Sequence, residues 1–166
     1  MGGCRIRRMK VEVNNQQKKF RVATAPLKHF VRWIMERVQS LDNDMRWTEL
    51  SLVLMDDPGI AALHERYLGD HRPTDVISFA YPPSPGAAEG HTGEVVVNVE
   101  RAVREGPRHD GTERELALYI AHGCHHLTGA DDHTPTLRAR MRRVETQWLQ
   151  EAETEGVLAG LSVKPH

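Results

Sequence analysis

Histidines are concentrated in one short stretch of this 166-residue chain, which runs HGCHHLTGADDH from His122 to His133. His122 and His126 are four residues apart, so on a helix both imidazoles lie on the same face, with Cβ atoms about 5–6 Å apart. That spacing lets both rings bind one metal ion, and Gly129 is well placed to end the helix and turn the chain back. The sequence therefore predicts a metal site at the end of a helix.

A third ligand is expected from Asp131, Asp132 or His133, because carboxylate oxygens and imidazole nitrogens both bind zinc. Three protein ligands leave a fourth position to water, as in catalytic zinc sites, whereas structural sites usually fill it with cysteine. Cys124 points away from the face that carries His122 and is expected to be a small buried apolar residue. We therefore predict a catalytic site with one Zn²⁺ per chain, and the same donors also suit nickel, iron or manganese.

The spacing of the two helical histidines is that of the zincin motif H-E-x-x-H, whose glutamate is the general base. Gly123 occupies the place of that glutamate, which disfavours a peptidase of the ordinary zincin type. Glu94 and Glu115 are alternatives elsewhere in the chain, and the identity of the general base stays open. His125 lies about 100° around the helix from His126 and is expected either at the surface or behind the ligands.

The elements that position this site follow from hydrophobic periodicity. The helix that carries the histidines begins at Thr112, with Glu115 at the spacing of a capping box, and Asp57 is the predicted N-cap of an earlier helix. The predicted strands are 9–13, 50–55, 74–81 and 93–99, and the predicted helices are 26–38, 58–67, 112–128 and 135–152. Their order favours an α+β fold, in which helices, including the zincin-like metal helix, cover a mixed β-sheet of about four strands.

Length and composition fit a single domain, predicted at 9–153. A basic extension, 1–8, is expected to be disordered, and 154–166 is expected to be a weakly ordered tail. The net charge of −1 provides no overall field toward nucleic acid, so any RNA site must depend on local basic patches. No apolar run is long enough for a membrane span or a secretory signal, and two distant cysteines predict no disulfide framework, which favours a cytoplasmic protein.

Three blocks of the chain resemble the YbeY family, bacterial metal-dependent endoribonucleases of ribosomal RNA maturation. The residues RELA at 114–117 and the histidine stretch after them resemble the family signature H-G-x-L-H-L-x-G-Y-D-H. Tyr67, Gly69 and the run PTDVISF at 73–79 resemble the family's tyrosine, arginine, glycine and P-T-D-V-L-S-F. The residues GEVV at 93–96 lie where the family has G-D-I-x-I. The order and separation of these blocks agree across 9–150.

Carried over by register, the resemblance implies that His122 and His126 are metal ligands and that Asp132 occupies the position of the third ligand. The family usually has histidine at that third position. His133, one residue out of register, is therefore the alternative third ligand. The family's arginine after the tyrosine, associated with RNA, is Leu68 in this chain.

The resemblance implies a single-strand-specific endoribonuclease that acts in 16S rRNA 3′-end maturation and ribosome quality control, with ribosomal RNA and the small ribosomal subunit as partners. Because Leu68 replaces the family's arginine, Arg66 or Arg72 is expected to compensate, and Arg72 is the expected RNA contact, near the loop 82–92, a candidate flap. Two alternatives stay open. One is a non-catalytic metal-binding ribosome-assembly factor, and the other is a metallohydrolase of peptides or small molecules.

Overall fold

The computed structural model describes residues 8–86 and 90–166. In chain order its elements are β1 (Lys10–Asn15), β2 (Phe20–Val22), α1 (Thr24–Leu41), β3 (Trp47–Met55), α2 (Asp57–Leu68), β4 (Val76–Tyr81), β5 (His91–Asn98), α3 (Val99–Glu105), a 3₁₀ turn (Gly106–Arg108), α4 (Thr112–His126), α5 (Pro135–Thr154) and β6 (Val163–Pro165). The main sheet has four strands in the order β1-β3-β5-β4, with β1, β3 and β5 parallel and β4 antiparallel to β5. The predicted α+β fold with a mixed four-stranded sheet is confirmed.

The larger hydrophobic core lies between one face of this sheet and helices α1 and α4, with α5 packed against α4. From β3 it receives Leu50, Leu52 and Leu54, all fully buried, because alternate residues of a strand point to the same face. The apolar stripe of α1 is buried at the predicted three- and four-residue steps, by Leu27, Phe30, Val31, Ile34 and Val38. On the opposite face α2 covers a smaller cluster, made of Val53, Ile60, Ile77 and Val96. Helices therefore cover both faces of the central strands.

A second, two-stranded sheet pairs β2 with β6 in antiparallel orientation and was not predicted from the sequence. This sheet pairs residues 163–165 with the strand before α1. The segment 154–166 therefore contains regular structure, unlike the weakly ordered tail expected there. Val157 is buried, and Leu158, Leu161 and Val163 pack against the larger core. These apolar contacts hold the segment in place, because so short a strand pair is marginal by itself.

Two helix starts also differ from the prediction. The N-cap of α2 is Asp56 rather than Asp57, since the Asp56 side chain accepts a 3.0 Å hydrogen bond from the backbone N–H of Gly59. α4 begins after Gly111 and has no side-chain cap, so the capping box expected at Thr112 does not form. Helix α3 was not predicted because its seven residues are too few to reveal a periodic apolar face.

Two further expectations fall partly outside the described residues. Of the basic extension 1–8, the structure describes only Arg8, which is exposed. Of the candidate flap 82–92, residues 82–86 are exposed coil and turn, residues 91 and 92 belong to β5, and residues 87–89 lie outside the described part. In the described parts of the chain, no helix combines the length and the apolar character needed to cross a membrane.

Helix α4 lies directly against the sheet because residue 123 has no side chain. A Cβ atom built on Gly123 lies 2.6 Å from side-chain carbons of both Val76 and Val95, well inside van der Waals contact. Ser78 fixes the same position, since its hydroxyl donates a 2.7 Å hydrogen bond to the Gly123 carbonyl. The glycine in place of the zincin glutamate is therefore a packing requirement, because no larger residue fits between α4 and the strands beneath it.

We expect Gly123→Ala to destabilise the protein by about 1–3 kcal/mol, because the added methyl group overpacks the contact with Val76 and Val95. The sign of this change in stability is diagnostic, because a glycine-to-alanine substitution inside a helix otherwise stabilises the helix by roughly 0.5–1 kcal/mol. Urea unfolding followed by circular dichroism measures the change. Ser78→Ala serves as a companion that removes the hydrogen bond without adding volume, and unchanged or higher stability of Gly123→Ala would contradict the close approach.

Candidate metal centre

α4 ends at the second histidine of the pair, and the chain turns back immediately afterwards. The backbone N–H groups of Leu127, Thr128 and Gly129 each donate to the carbonyl three residues earlier. Gly129 has a φ of 82°, a left-handed conformation that glycine adopts without strain. The chain reversal predicted at Gly129 is thus present, and it brings 130–132 alongside His126.

Three potential ligand atoms converge at this turn. His122 Nε2 and His126 Nε2 are 3.0 Å apart, and Asp132 Oδ2 lies 3.4 Å from the first and 3.5 Å from the second. Ligands of a tetrahedral ion with bonds of 2.0–2.2 Å are separated by about 3.3–3.6 Å. The two separations from Asp132 match two edges of a coordination tetrahedron, and the separation of the two histidine nitrogens is about 0.3 Å shorter than that range. Their side chains are 20–32% exposed, so solvent reaches the site.

Hydrogen bonds on the far side of each imidazole fix which nitrogen faces the centre. His126 Nδ1 lies 2.9 Å from the Ala130 carbonyl, which can only accept, so Nδ1 carries the proton. His122 Nδ1 donates in the same way to Glu145 Oε1 at 2.8 Å. In the neutral rings both Nε2 atoms are then lone-pair acceptors that face each other and a carboxylate oxygen. These three atoms repel one another unless a proton on one Nε2 or a metal ion lies among them, so the donor set fits a metal ion.

Glu145, in the middle of α5, is a site residue that the sequence analysis missed. Its side chain is 2% exposed, and Oε1 accepts hydrogen bonds from His122 Nδ1 and, at 3.0 Å, from His125 Nδ1. Burial alone would raise the pKa of this carboxyl group, but the two histidine hydrogen bonds outweigh burial and lower the pKa. Burial likewise disfavours the charged form of His122, yet the hydrogen bond and the charge of Glu145 outweigh burial and raise the pKa of His122.

One signal in the sequence could have identified Glu145. It lies within the apolar face of α5, at helical spacing from Met141, Trp148 and Leu149, all of them buried. A carboxylate in such a stripe is costly unless a hydrogen-bonding partner meets it. The stripe was recognised from its period, but the partner lies 23 residues earlier, on another helix.

Cys124 and His125, which lie between the two helical histidines in the sequence, are both buried. His125 is 7% exposed, and its ring centroid lies 5.1 Å from that of Trp148, so it lies behind the candidate ligands rather than at the surface. Cys124 is fully buried as expected, and burial raises the pKa of its thiol. A thiol in this state stays protonated, which excludes Cys124 as a nucleophile.

The two alternatives for the third ligand are placed differently. Asp132 meets both helical histidines, as its distances show. The side chain of His133 is 89% exposed, and its Nε2 lies 3.6 Å from Asp131 Oδ1. Asp131, Asp132 and His133 also form a second group with close ligand atoms, which is more exposed than the first and contains neither helical histidine.

The two alternatives for a general base lie outside the group formed by His122, His126 and Asp132. Glu115 is 6% exposed, and its carboxylate lies 3.3 Å from His109 Nδ1. Glu94 belongs to β5, where it is opposite Ser51 and Phe79 in the neighbouring strands. Neither glutamate belongs to the group formed with the helical histidines.

The residues expected to contact RNA lie on the surface around α2. The side chain of Arg72 is 81% exposed and forms an ion pair with Asp70 at 2.6 Å, which lowers the pKa of Asp70. Leu68, in the place of the family's arginine, is 64% exposed at the end of α2, beside Tyr67 at 54%. The side chains of Arg72 and Leu68 are therefore both accessible to solvent.

Comparison with known proteins agrees with this geometry. The family model described as Endoribonuclease YbeY matches residues 12–153. A relative named Endoribonuclease YbeY from Moorella thermoacetica is 32% identical over 165 residues, covering 94% of this chain and 99% of the relative. Another of the same name, from Salinibacter ruber, is 37% identical over 125 residues, covering 72% of this chain and 79% of the relative.

A solved structure supports the same fold. The solution structure of TM1509 from Thermotoga maritima matches with a TM-score of 0.56 and 21% identity, over 87% of this chain and 90% of that chain. The resemblance seen in the three sequence blocks is therefore confirmed by the family match and by the relatives. This chain belongs to the Endoribonuclease YbeY family.

Proposed function

We propose that this protein is a single-strand-specific, metal-dependent endoribonuclease in which His122, His126 and Asp132 bind one Zn²⁺. The observation that carries the proposal is the approach of three acceptor atoms to within 3.5 Å of one another. Membership of the Endoribonuclease YbeY family supports RNA as the substrate class. His133 is the alternative third ligand, and its exposed position argues against it.

Zinc suits this donor set, because two imidazole nitrogens and one carboxylate leave a fourth position for water. When bound, such an ion lowers the pKa of its water and stabilises negative charge that develops on a phosphate. The contribution of the protein is orientation. Glu145 and the Ala130 carbonyl hold the two imidazoles so that each Nε2 points to the centre.

Exposed aromatic rings at the edge of the sheet support a single-stranded substrate. Tyr67 and Tyr81 are 54% and 48% exposed, and the ring of Phe79 lies 5.1 Å from the first and 6.5 Å from the second. β4, which carries two of these rings, is an edge strand, and both rings lie on the face of Ile77 that α2 covers, whereas Ser78 faces α4. Unpaired bases stack on such rings with little regard to sequence. Arg72, four residues before β4, is the basic residue that we propose contacts the RNA backbone.

For the biological setting we propose maturation of the 16S rRNA 3′ end and ribosome quality control in the cytoplasm, with the small ribosomal subunit as partner. The support is the resemblance carried by the histidine stretch, PTDVISF and GEVV. Helix α4 offers no carboxylate at the zincin position, because Gly123 has no room for one. A peptide-cleaving metallohydrolase is therefore the less favoured alternative.

One observation favours a second candidate, a metal-binding ribosome-assembly factor that does not cleave RNA. Leu68 stands where the family has arginine, and its 64% exposure places an apolar side chain where a cation would meet a phosphate. A leucine neither donates a hydrogen bond nor neutralises phosphate charge. The two candidates differ in turnover, not in metal binding.

His126→Ala should lower cleavage of a single-stranded RNA with the 16S 3′-end sequence about a thousandfold, because several kcal/mol of transition-state stabilisation depart with the metal. Asp132→Ala should lose metal as well, whereas Asp132→His, which restores the family's usual residue, should keep metal and cleavage. Cleavage is followed on denaturing gels, and metal content per chain is measured by mass spectrometry on the same preparations.

His133→Ala is the control for this series and should resemble wild type in both readouts. Loss of metal from His133→Ala, with metal retained by Asp132→Ala, would transfer the ligand role to His133. Bound metal without any RNA cleavage by the wild-type protein would support the assembly factor instead.

Glu145→Gln should weaken zinc affinity about 10- to 100-fold, the usual effect of removing the acceptor behind a zinc-binding histidine. The amide accepts less strongly from His122 Nδ1 and does not supply the negative charge that stabilises the ligand. Competition with a fluorescent zinc chelator measures the affinity. Glu151→Gln, on the same helix with a side chain 39% exposed, is the matched control and should bind zinc as wild type does. Equal affinities for both variants would show that Glu145 does not orient the ligand.

Leu68→Arg should tighten binding of single-stranded RNA about 3- to 10-fold at ~100 mM salt and steepen the log–log salt dependence by about 0.7, as expected for one added phosphate contact. Fluorescence anisotropy at several salt concentrations measures both quantities. Leu41→Arg, another exposed leucine at the end of α1, is the matched control for net charge. If the two variants behave alike, the position of Leu68 has no special role in RNA binding.

A further inference from the structure

A polar cavity of about 450 Å³ opens beside the candidate metal centre, between α4, α5 and the segment 101–110. Its volume lies in the range of small-ligand sites, about 300–1,000 Å³. One face of α4 lines it with Glu115, Tyr119 and His122, at successive helical turns. Because His122 and Glu145 both belong to its wall, the cavity and the proposed metal site share a boundary.

Four arginines line this cavity: Arg114 is paired with Asp110 and Glu153, and the other three come from three separate elements. They are Arg101 from α3, Arg108 from the 3₁₀ turn and Arg142 from α5. Within 8–86 and 90–166, none of their guanidinium groups forms an ion pair or a hydrogen bond with another residue. Arg104, on the same helix as Arg101, provides the contrast, because it pairs with Asp57 at 2.8 Å. The cavity thus gathers cations that the rest of the described chain leaves unpaired.

Each carboxylate that lines the cavity already has a partner. The pairs are Glu145 with His122 and His125, Glu115 with His109, Asp110 with Arg114, Glu105 with Arg104, and Asp75 with the backbone N–H of Val76. Glu105 and Asp110 have arginine partners, Glu115 and Glu145 have histidine partners, and Asp75 has a backbone N–H, whereas the three arginines have no partner among the described residues. An anion that enters the cavity therefore meets guanidinium groups with free donors.

We propose that this cavity is a phosphate-binding subsite, in which Arg101, Arg108 and Arg142 hold a backbone phosphate of the RNA strand next to the phosphodiester at the metal centre. The planar guanidinium fork matches phosphate oxygens with two parallel hydrogen bonds. The proposal rests on the proposed nuclease function for the identity of its ligand. Because the net charge of the chain is −1, a local cluster of this kind is the means by which the protein attracts a polyanion.

Arg142→Ala should raise the Kd of the full-length protein for a short fluorescent single-stranded RNA about 5- to 10-fold at ~100 mM salt, and lower the log–log salt slope by about 0.7, the value for one phosphate contact. Arg101→Ala should behave in the same way. Arg143→Ala, the next residue along α5, removes an equal charge from outside the cavity and should change neither quantity. Anisotropy titrations give both readouts, and gels confirm that the RNA stays intact.

Competition with inorganic phosphate shows whether the cavity binds a backbone phosphate of RNA or free phosphate. On the proposal, phosphate displaces RNA from the wild-type protein more effectively than chloride at equal ionic strength, and Arg142→Ala loses this difference. If phosphate binds the wild type while Arg142→Ala binds RNA normally, the cavity takes free phosphate and the proposed RNA subsite is wrong.

Three further outcomes decide between the subsite and the nuclease function. Equal effects of Arg142→Ala and Arg143→Ala would overturn the subsite, because diffuse charge would then explain the binding. Cleavage by wild type with an unchanged slope for Arg142→Ala also overturns the subsite and leaves the nuclease function intact. A lowered slope together with no cleavage by wild type supports the subsite and overturns the nuclease function. Both arginines are exposed, and thermal unfolding checks that each variant is folded.

Discussion

Repulsion among three electron-rich atoms is the constraint on which this site depends. His122 Nε2, His126 Nε2 and Asp132 Oδ2 are held 3.0–3.5 Å apart, and a cation among them converts that repulsion into attraction. Hydrogen bonds from behind hold the imidazoles in place, one to a backbone carbonyl and one to Glu145. This arrangement requires a buried carboxylate. Glu145 is tolerated at its buried position only because His122 and His125 both donate hydrogen bonds to it.

The helix that carries the histidines is fixed from two sides. On one side Gly123 lets α4 approach Val76 and Val95, and Ser78 bonds to its carbonyl. On the other side α5 delivers Glu145 to the first histidine. This double support explains why the residue after His122 cannot be the glutamate of a zincin, because the space it would need is filled by the sheet. A water-activating base in this fold must therefore occupy a position other than 123.

The sequence predicted those features that depend on residues close together along the chain. The spacing of His122 and His126, the turn at Gly129 and the strands of the main sheet all follow from local periodicity and turn chemistry. Contacts between distant segments were not predictable in this way. Glu145 meets a histidine 23 residues earlier, and the pairing of β2 with β6 joins residues 20–22 to residues 163–165. The shift of the α2 cap by one residue reflects the ambiguity of adjacent aspartates at a helix start.

The distribution of paired and unpaired arginines bears on how a chain with a net charge of −1 selects a polyanion. Arg37, Arg104 and Arg114 are each bound to carboxylates on neighbouring elements, which reduces the attraction of those surfaces for nucleic acid. Arg101, Arg108 and Arg142 are unpaired within the described chain and line the cavity beside His122, whereas the exposed aromatic rings lie on the face of the sheet that α2 covers. A duplex keeps its bases stacked within itself and gains nothing from those rings, whereas a single strand gains from stacking and from phosphate contacts together. On the proposed function, selectivity for single strands depends on where charge and aromatic surface are placed, with no need for a basic protein.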